Sequence, residues 1–533
     1  MPGRAQTFRL RNVNESAKNA AMKPIPKNTS VACPHPWFRV GKRVKVYGRV
    51  ANLLLSMGLS GLSLAAADNE PILVGTDKQL FIDQRFLETK QGVAVVVNSP
   101  RLTREKLIVA DKPWERSWLG GYTSVIQEGE LIRLWYEVND SGKDGVGNGV
   151  AYAFSKDGGA TWVKPSLGIV EYKASKDNNL VHLGGHGYTV FKNRPNASRS
   201  EQYCMFIGTP SKANQAMVSA DGFNWVPTGK VPFLDPDINE RLTLDSQNVA
   251  FWDTRINKYV IYPRHNLKHE DGAQGVNRVF KYAASATWGN FGQHQMSFQK
   301  DARDPLDFDW YTTGVIQYPY AADAYFMWPA AYHHYPEPPV GKYRNDGPLD
   351  LQFAVSRDGI QWARPDRRAV IRLGMEGEWD RGSIYAGYGL SRSGNELSLY
   401  YTAYIPTHGA YVETGVLGGV ITRAIYRLDG FMSVDAPYEG GEFTTPAIIF
   451  NGSRLELNFD GSAGGWTKVE IVDGQGRPIP GYSAGEADNV TGNGVVKTVT
   501  WAGKSDVSLL KGRPIKLRFV MRDAKLYAFQ FVR

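Results

Sequence analysis

The chain has 533 residues, a formal net charge of +9 and an aromatic content of 12%. The charge is concentrated at one end, because residues 1–67 carry 11 Lys or Arg and a single acidic residue. The remaining residues carry 51 basic and 52 acidic side chains. This balance leaves no basic surface of the kind that binds nucleic acid, so we expect no nucleic-acid partner. The length favours a large repeat domain with an accessory domain over a single small core.

Residues 1–67 are predicted to form a leader with an export signal. A run of basic residues at 39–49 precedes the apolar segment Ala51–Leu64, and Ala65–Ala67 provides small residues for cleavage. The apolar segment is too short to span a bilayer, so we expect no membrane contact beyond export. The alternative is that the apolar segment forms an amphipathic or buried helix. Of the two cysteines only Cys204 follows the leader, which fits a disulfide-free periplasmic or secreted protein.

A short phrase built around an Asp-Gly turn recurs five times, at intervals of about 64 to 71 residues. A fixed period indicates one supersecondary unit copied around an axis. Each copy follows three strand-type runs, and strand, turn, strand, loop, strand is the order of a propeller blade. The copies begin at Ser155, Ser219, Ser285, Ser356 and Arg427.

The phrase resembles the Asp-box of sialidase-type propellers. Asp and Gly suit a tight turn, the Ser hydroxyl can cap that turn, and the Trp that ends the clearest copies can pack between sheets. We expect a structural staple without a catalytic role.

The repeats predict an all-β protein with a five-bladed β-propeller over residues 78–437. Gln79–Phe86 precedes the first blade and is expected to be a fourth strand for the fifth blade. Residues 439–533 lose the period and contain short alternating strands separated by turn signals, which predicts a C-terminal β-sandwich.

This architecture resembles the glycoside hydrolases of families 32 and 43. More closely, it resembles a group of secreted family-32-like proteins common in planctomycetes. The resemblance implies hydrolysis of glycosidic bonds in a poly- or oligosaccharide by paired carboxylates in the axial funnel, without a cofactor. It rests on the segments Leu80–Phe86, Asp111–Glu115, Leu134–Glu137, Asp245–Asp253 and Trp379–Gly382.

The chain also departs from the fructosidases of family 32. Their nucleophile motif Trp-x-Asn-Asp-Pro-Asn and their Glu-Cys acid motif are absent. Arg303–Pro305 matches a third fructosidase triplet but lies ahead of the fourth blade, so we expect a loop turn there. Fructosidase activity is therefore not the expectation.

Glycoside hydrolysis needs two carboxyl groups, one on each side of the scissile bond. An acidic residue just before a blade's first strand, or just after its second, lies at the funnel end. Asp245 precedes the first strand of blade 3, and Asp380 precedes that of blade 5, with Glu378 as its alternative. Glu137 closes the second strand of blade 1 and would suit the acid if burial raises its pKa. The alternative is that these acidic residues are structural, either in turns or in ion pairs with arginines.

Further residues are predicted to contact substrate. Aromatic faces stack on sugars, histidines and amides bind hydroxyls, and arginines can clamp a carboxylate or sulfate. The predicted binding residues are Asp83, Asp111, Glu115, Trp118, His186, Asn248, Arg264, Trp379, Arg381 and Tyr385. His182, His333, His334 and Trp328 are secondary candidates. No zinc-type spacing occurs, so no metal is expected.

Two other functions remain open. One is a carbohydrate-binding propeller without catalysis, in which the acids only bind hydroxyls. The other is a sialidase, which normally needs six blades and three arginines around the substrate carboxylate. A carboxyl separation of about 5–5.5 Å would imply retention, about 6.5–9.5 Å inversion, and a wider scatter a binding module. The sequence does not indicate the sugar, the linkage, endo or exo action, or the oligomeric state.

Overall fold

Strands account for nearly all the regular structure, as the strand-type runs predict. The computed structural model describes residues 70–533 except 143, 146, 209–214, 231–243, 268–276, 322, 336–344 and 411–417, so the predicted leader lies outside it. In the described part the protein is all-β, with three 3₁₀ turns at Pro113–Glu115, Arg199–Glu201 and Ser508–Leu510 and no α-helix. No helix there is long and apolar enough to cross a membrane. Residues Asp68–Arg533 form one compact unit.

Six short strands precede the repeats, and they serve two different regions. β2, β3 and β4 pair with strands at the C-terminal end of the chain, whereas β5 and β6 pair with the last strand of the fifth repeat. The six are β1 (Ile72–Gly75), β2 (Gln79–Leu80), β3 (Thr89–Gln91), β4 (Ala94–Val97), β5 (Arg101–Leu102) and β6 (Ile108–Val109).

Repeat units 1 to 3 are antiparallel sheets that follow the predicted strand order. Unit 1 contains β7 (Trp118–Glu128), β8 (Leu131–Asp140), β9 (Gly147–Ser155) and β10 (Leu180–Leu183). Unit 2 contains β11 (His186–Lys192), β12 (Tyr203–Gly208), β13 (Gln215–Ser219) and β14 (Val226–Lys230). Unit 3 contains β15 (Val249–Asp253), β16 (Lys258–Tyr262), β17 (Arg264–Leu267), β18 (Asn277–Ser285) and β19 (Gln295–Phe298).

Repeat units 4 and 5 are less regular. Unit 4 has six short strands, β20 (Phe308–Trp310), β21 (Ile316–Gln317), β22 (Tyr325–Met327), β23 (Ala330–His333), β24 (Leu349–Leu351) and β25 (Ala354–Ser356). Unit 5 has three long antiparallel strands, β26 (Ser383–Ser393), β27 (Glu396–Tyr404) and β28 (Val420–Arg427). Single parallel pairings join β26 to β7 and to β24, so units 1, 4 and 5 are neighbours.

The first strands of the units lie against one another. The amide of Val190 in β11 donates to Ser124 Oγ in β7 at 3.0 Å, and Thr189 Oγ1 donates to the Asn248 carbonyl before β15 at 2.9 Å. The Phe251 ring of β15 stacks on Tyr388 of β26, with 6.0 Å between centroids. First strands from four units therefore share one interior.

Each Asp-Gly phrase packs against the preceding repeat unit, and the first packs against the fifth. Tyr or Trp side chains of one unit bond the next unit's phrase in three cases: Trp135 Nε1 to the Gly222 carbonyl at 2.8 Å, Tyr262 Oη to the Gly359 carbonyl at 2.7 Å, and Tyr318 Oη to Asp429 at 2.7 Å. In the third phrase Trp288 Nε1 donates to the Met217 carbonyl at 3.1 Å. Arg423 of unit 5 donates to the Gly158 carbonyl of the first phrase at 2.8 Å. The contacts thus pass through all five units and return to the start.

The phrase itself is the predicted staple. In the first copy Ser155 Oγ donates to Asp157 at 2.7 Å and accepts from the amide of Gly159 at 3.0 Å. The second and fourth copies repeat this hydroxyl cap at Ser219 and Ser356. The expectation of a structural turn is confirmed, because the polar groups of the phrase bond one another.

Two further sheets contain the C-terminal strands. These are β29 (Met432–Ala436), β30 (Gly441–Thr444), β31 (Ile448–Phe450), β32 (Arg454–Asp460), β33 (Trp466–Val472), β34 (Val490–Thr491), β35 (Asn493–Thr498), β36 (Lys516–Arg522) and β37 (Ala524–Val532). One sheet has the order β35-β32-β37-β29-β4, with β2 also on β37, and the other has the order β3-β30-β36-β33-β34. Both therefore include strands from before the repeats.

The predicted role of Gln79–Phe86 is wrong. Gln79 and Leu80 pair with Phe529 and Ala528 of β37, while β5 and β6 take the place beside β28. The physical reason is the aromatic side chain of Phe81, whose ring lies 5.5–6.3 Å from three phenylalanines of the C-terminal sheets and from Phe86. Burying these rings together outweighs any preference for the fifth repeat.

Candidate functional site

Polar and aromatic side chains from all five repeat units meet in one group, which we call the central cluster. Tyr311 connects it: its ring lies 4.4 Å from His408, 5.6 Å from Tyr385 and 5.8 Å from Tyr332. The cluster comprises Trp118, Tyr122, Glu137, His186, Asp245, Arg264, Arg278, Asp309, Tyr311, Tyr332, His334, Tyr385, Tyr404 and His408.

Glu137 is a fully buried carboxyl group near the end of β8. Its Oε1 pairs with Nδ1 of His186, and its Oε2 accepts the amide of Gly187 at 2.9 Å. Burial raises the pKa of Glu137, although His186 and the backbone amides pull in the opposite direction. A carboxyl group that retains its proton to higher pH is suited to general acid catalysis.

A close backbone approach makes this geometry possible. Gly187 has φ +68°, and a Cβ there would lie 2.2 Å from the Ser246 carbonyl. Only glycine lets the start of β11 pass so near the segment that leads into β15. As a result, the amide that binds Glu137 lies beside the polar string that begins at Asp245.

Asp245 lies across Tyr122 from Glu137. The Tyr122 hydroxyl donates to the Asp245 carbonyl at 3.4 Å. Burial raises the pKa of Tyr122, and the nearby Tyr311 and Glu137 raise it further. The Asp245 side chain is 40% exposed and forms an ion pair with the buried guanidinium of Arg264. The Glu137 carboxyl group is thus buried, whereas the Asp245 side chain is partly open to solvent.

Asp309 supplies the third carboxyl group of the cluster, in an ion pair whose two side chains are both buried. Asp309 in β20 accepts from Arg278 NH1 at 2.8 Å and lies 3.3 Å from Nε2 of His334. Asp309 and Arg278 are both buried. Arg278 also lies over the rings of Tyr311 and Tyr332, at 5.2 and 5.3 Å from their centroids.

Aromatic side chains form the remaining wall of the cluster. The His186 ring meets Trp118 at 5.9 Å and Tyr122 at 5.1 Å, both edge to face. On the other side, Tyr385 Oη bonds Nδ1 of His408 at 2.8 Å. Burial lowers the pKa of His408 well below its ordinary value, and the nearby Arg278 and Arg264 lower it further. Aromatic rings and phenolic hydroxyl groups are the kinds of group that stack on and bond sugars.

Six of the predicted site residues therefore come together: Glu137, Asp245, Trp118, His186, Arg264 and Tyr385. His334, a secondary candidate, joins them. Asp380 is not among them. Its carboxylate is buried and lies 3.7 Å from Arg104, which also lies 3.7 Å from Glu378. Arg104 belongs to the segment between β5 and β6, whose pairing with unit 5 the sequence did not predict.

Glu115 and Asp111 have structural partners outside the cluster. Glu115 is buried, and its two oxygens accept from Lys164 Nζ at 2.8 Å and from the hydroxyl of Tyr136 at 2.8 Å. Asp111 is exposed and pairs with the same Lys164 at 2.6 Å. These contacts connect the segment before β7 to Lys164, which follows the Asp-Gly phrase of unit 1.

Asp83 and Asn248 also have structural partners. Asp83 accepts from Nε and NH2 of Arg357 at 2.9 and 3.1 Å, next to the fourth Asp-Gly phrase. The buried amide of Asn248 donates to the Ser246 carbonyl at 2.7 Å and accepts from the amide of Arg264 at 2.9 Å. Asn248 therefore holds the backbone around Arg264, and its contact with substrate stays a prediction.

The other predicted residues lie elsewhere. Trp379 is partly buried, with Lys106 6.0 Å from its ring centroid, and Arg381 is exposed near Tyr335. Trp328 is a core residue that bonds Tyr426, while His182 and His333 contact Tyr188 and Phe308. Asp304 of the triplet Arg303–Pro305 forms the expected turn, with its amide donating to the Asp301 carbonyl at 2.9 Å.

Sequence reasoning missed Asp309, Arg278, Tyr122, Tyr332, Tyr404 and His408. For Asp309 a signal was present, because it lies ahead of β21, the strand of unit 4 that matches the predicted first strand of blade 4, much as Asp245 lies ahead of β15. Its neighbours Phe308 and Trp310 give the segment the composition of a core strand. The described residues contain no group of three or more metal-type side chains placed to hold an ion.

Comparisons with known proteins give only distant matches. No family model and no curated protein matches it. Among solved structures, a thermostable family-43 glycoside hydrolase is 13% identical with a TM-score of 0.42, covering 63% of this chain and 96% of its own.

Two further structures resemble the chain to a similar degree. One is associated with the GH130 family of mannoside phosphorylases, which contains glycoside hydrolases that target β-1,2 mannosidic linkages in Candida mannan. It is 14% identical, with a TM-score of 0.40 and coverage of 66% and 97%. A glycosyl hydrolase from Bacteroides ovatus is 12% identical, with a TM-score of 0.38 and coverage of 66% and 93%. Likeness at this level assigns neither a family nor an activity.

Proposed function

We propose that this protein is a glycoside hydrolase whose active site is the central cluster. The observation that carries the proposal is the contrast between its two predicted acids. Glu137 is buried with a raised pKa, whereas Asp245 is partly exposed and paired with a guanidinium. Two carboxyl groups in environments that separate their protonation states are what acid-assisted glycoside cleavage requires.

In the proposed reaction Glu137 gives its proton to the glycosidic oxygen as the bond to the anomeric carbon breaks. Asp245 acts on the opposite side, either by attacking the anomeric carbon or by deprotonating the water that attacks it. His186 holds the Glu137 carboxyl group in position. The rings of Trp118 and Tyr385 are suited to stack on or bond the sugar.

The proposal includes a five-bladed propeller followed by a sandwich. It is supported by the cyclic contacts of the Asp-Gly phrases and by the two C-terminal sheets, whose side chains share one apolar core. The leader in residues 1–67 supports export to the periplasm or medium, where a glycan substrate would be encountered.

A carbohydrate-binding protein without catalysis is the second candidate. It is favoured by the ion pairs Asp245–Arg264 and Asp309–Arg278, since carboxylates held in this way bind hydroxyl groups well. The two candidates differ in one outcome, which is whether a bound glycan is cleaved.

Hydrolysis of a panel of plant, algal and microbial glycans by matched variants tests the proposal. We expect Glu137→Gln and Asp245→Asn each to lower kcat by about 100-fold or more, in line with the loss of an acid or base. Asp111→Asn is the control, because Asp111 is a carboxylate outside the cluster. The same panel separates Asp380→Asn, which should retain activity, from the two cluster variants.

Unchanged hydrolysis in both cluster variants would refute the site. A wild-type protein that binds a glycan of the panel and never cleaves it would favour the binding protein instead.

A further inference from the structure

Three half-buried side chains form a row across the end of repeat unit 1. Trp118 begins β7 and pairs with Asn139 near the end of β8, and Asn139 pairs with Asn148 in β9. Cross-strand partners share one face of a sheet, and neighbouring strands lie about 4.8 Å apart. The three side chains therefore lie on one face and span about 10 Å. We call them the unit 1 row, and Trp118 also belongs to the central cluster.

The row lies on the same face of unit 1 as the candidate acid. Asn139 follows Glu137 by two residues in β8, and alternate residues of a strand point to one face, about 7 Å apart. Glu137 is fully buried, whereas Asn139 is half-buried and lies nearer the end of the strand. The row is therefore the next layer of side chains beyond Glu137, at the end of the unit where the central cluster lies.

His186 contacts both the row and the acid. Its Nδ1 pairs with Glu137 and lies 3.3 Å from Nδ2 of Asn148. Oδ1 of Asn148 in turn accepts from Nδ2 of Asn139. The His186 ring also meets Trp118 edge to face, with 5.9 Å between centroids. A molecule bound by the row would therefore lie next to the pair formed by Glu137 and His186.

The row retains groups that can bind a ligand. An amide carries two N–H donors and one carbonyl acceptor, and an indole carries one N–H donor. Within the part of the chain that the structure describes, neither Asn139 Oδ1 nor Trp118 Nε1 forms a hydrogen bond, and no aromatic side chain stacks on the Trp118 ring. All three side chains are uncharged. An aromatic ring beside amide groups matches the apolar face and the hydroxyl groups of a neutral sugar.

We propose that the unit 1 row is the subsite for the leaving group of the substrate, and that this leaving group is a neutral sugar. The inference rests on the proposed function, in which Glu137 protonates the glycosidic oxygen as the bond to the anomeric carbon breaks. The sugar that departs with that oxygen must lie on the Glu137 side of the cluster, and the sugar that keeps the anomeric carbon lies toward Asp245. The substrate is therefore at least a disaccharide.

Wild-type kinetics with different leaving groups test the subsite without any variant. The probes share one glycone that the protein cleaves and differ in the leaving group, which is trifluoroethanol, a neutral sugar (glucose, mannose, xylose or arabinose) or glucuronate. Trifluoroethanol resembles a sugar hydroxyl in acidity but cannot fill the row. We expect kcat/KM to be about 10-fold or more higher for at least one neutral sugar, as stacking and hydrogen bonds provide. Equal values for trifluoroethanol and every neutral sugar would overturn the subsite, and a preference for glucuronate would overturn its neutral ligand.

Asn139→Ala tests the assignment to the row, because Asn139 bonds Asn148 and not His186. KM for the preferred disaccharide should rise about 5-fold or more, with kcat and its pH profile unchanged, while KM for the trifluoroethyl probe stays at the wild-type value. Asn224→Ala is the control, because Asn224 also bonds one neighbour, Asp221, in the second Asp-Gly phrase. A fall in kcat at unchanged KM would mean that the row positions Glu137, and would contradict the subsite. If Asn139→Ala does not fold, the wild-type series decides the question.

Failure of this inference is distinguishable from failure of the proposed function. Glu137-dependent cleavage with equal kcat/KM for trifluoroethanol and sugar leaving groups would overturn the subsite and leave the hydrolase. Absence of cleavage for every probe and every glycan of the panel would overturn the hydrolase and the subsite with it.

Discussion

Glu137 shows how burial and one neighbour set the protonation of a candidate acid. Desolvation raises its pKa, while the charge and hydrogen bond of His186 lower it. The net direction is upward, so the protonated form needed for acid catalysis survives to higher pH than an ordinary glutamate would allow. Activity should therefore decline as the pH rises through this raised pKa.

Replacing His186 by glutamine should move that decline to higher pH. The substitution removes the charge that lowers the pKa of Glu137, so the alkaline limb of the kcat profile shifts upward. His182→Gln is a matched control, because His182 contacts Tyr188 and contributes nothing to the pKa of Glu137. A profile of His186→Gln that coincides with wild type, or shifts downward, would exclude Glu137 as the acid.

The residue scale also shows how far site residues can be predicted from sequence. Asp245 and Glu137 were found because a carboxylate at a strand end identifies them. Asp380 satisfies the same rule, yet Arg104 from a distant segment covers it. The sequence around Arg278 does not indicate a site residue, because its partner Asp309 lies 31 residues away and their pairing depends on the tertiary fold.

At the scale of elements, the Asp-Gly phrases join neighbouring units. Gly159 in the first phrase has φ +84°, and a Cβ there would lie 2.3 Å from the hydroxyl of Tyr400 in unit 5. Trp162 of the same phrase meets the Tyr400 ring edge to face at 5.5 Å. The joint between units 5 and 1 therefore leaves no room for a side chain at this glycine.

Gly159→Ala should lower the free energy of unfolding by about 2–4 kcal/mol, combining the cost of a left-handed alanine with overpacking. Gly168→Ala is the control, because Gly168 has φ +71° with no atom within 4 Å of its would-be Cβ. That variant should lose only about 1–2 kcal/mol, from backbone strain alone. Denaturant unfolding of the two variants measures the difference, and equal losses would show that the joint is not tightly packed.

Long periodic strands were predictable because their sequence pattern is local. The predicted runs within β7, β8, β26, β27 and β37 fall inside strands of the structure. Two-residue strands such as β5 and β6 carry no such pattern, and their partner β28 lies more than 300 residues later. The wrong partner assigned to Gln79–Phe86 follows from the same limit.

At the scale of the whole molecule, the cluster depends on all five units at once. Unit 1 supplies Glu137, and unit 2 supplies His186. Asp245 directly precedes unit 3, which supplies Arg264, and units 4 and 5 supply Tyr311 and Tyr385. The five-fold repeat could be predicted because the Asp-Gly phrases recur at a nearly constant spacing in the sequence. The cluster could not be predicted completely, because it forms where the copies differ.

The most direct test of the central cluster as the glycan site is a crystal structure of Glu137→Gln soaked with a glycan that the wild-type protein cleaves. The account predicts a sugar ring within hydrogen-bond distance of residue 137 and Asp245, with Trp118 or Tyr385 beside it. A sugar bound only at the surface groove lined by Arg101, Asp157 and Arg423, with the central cluster empty, would contradict the account.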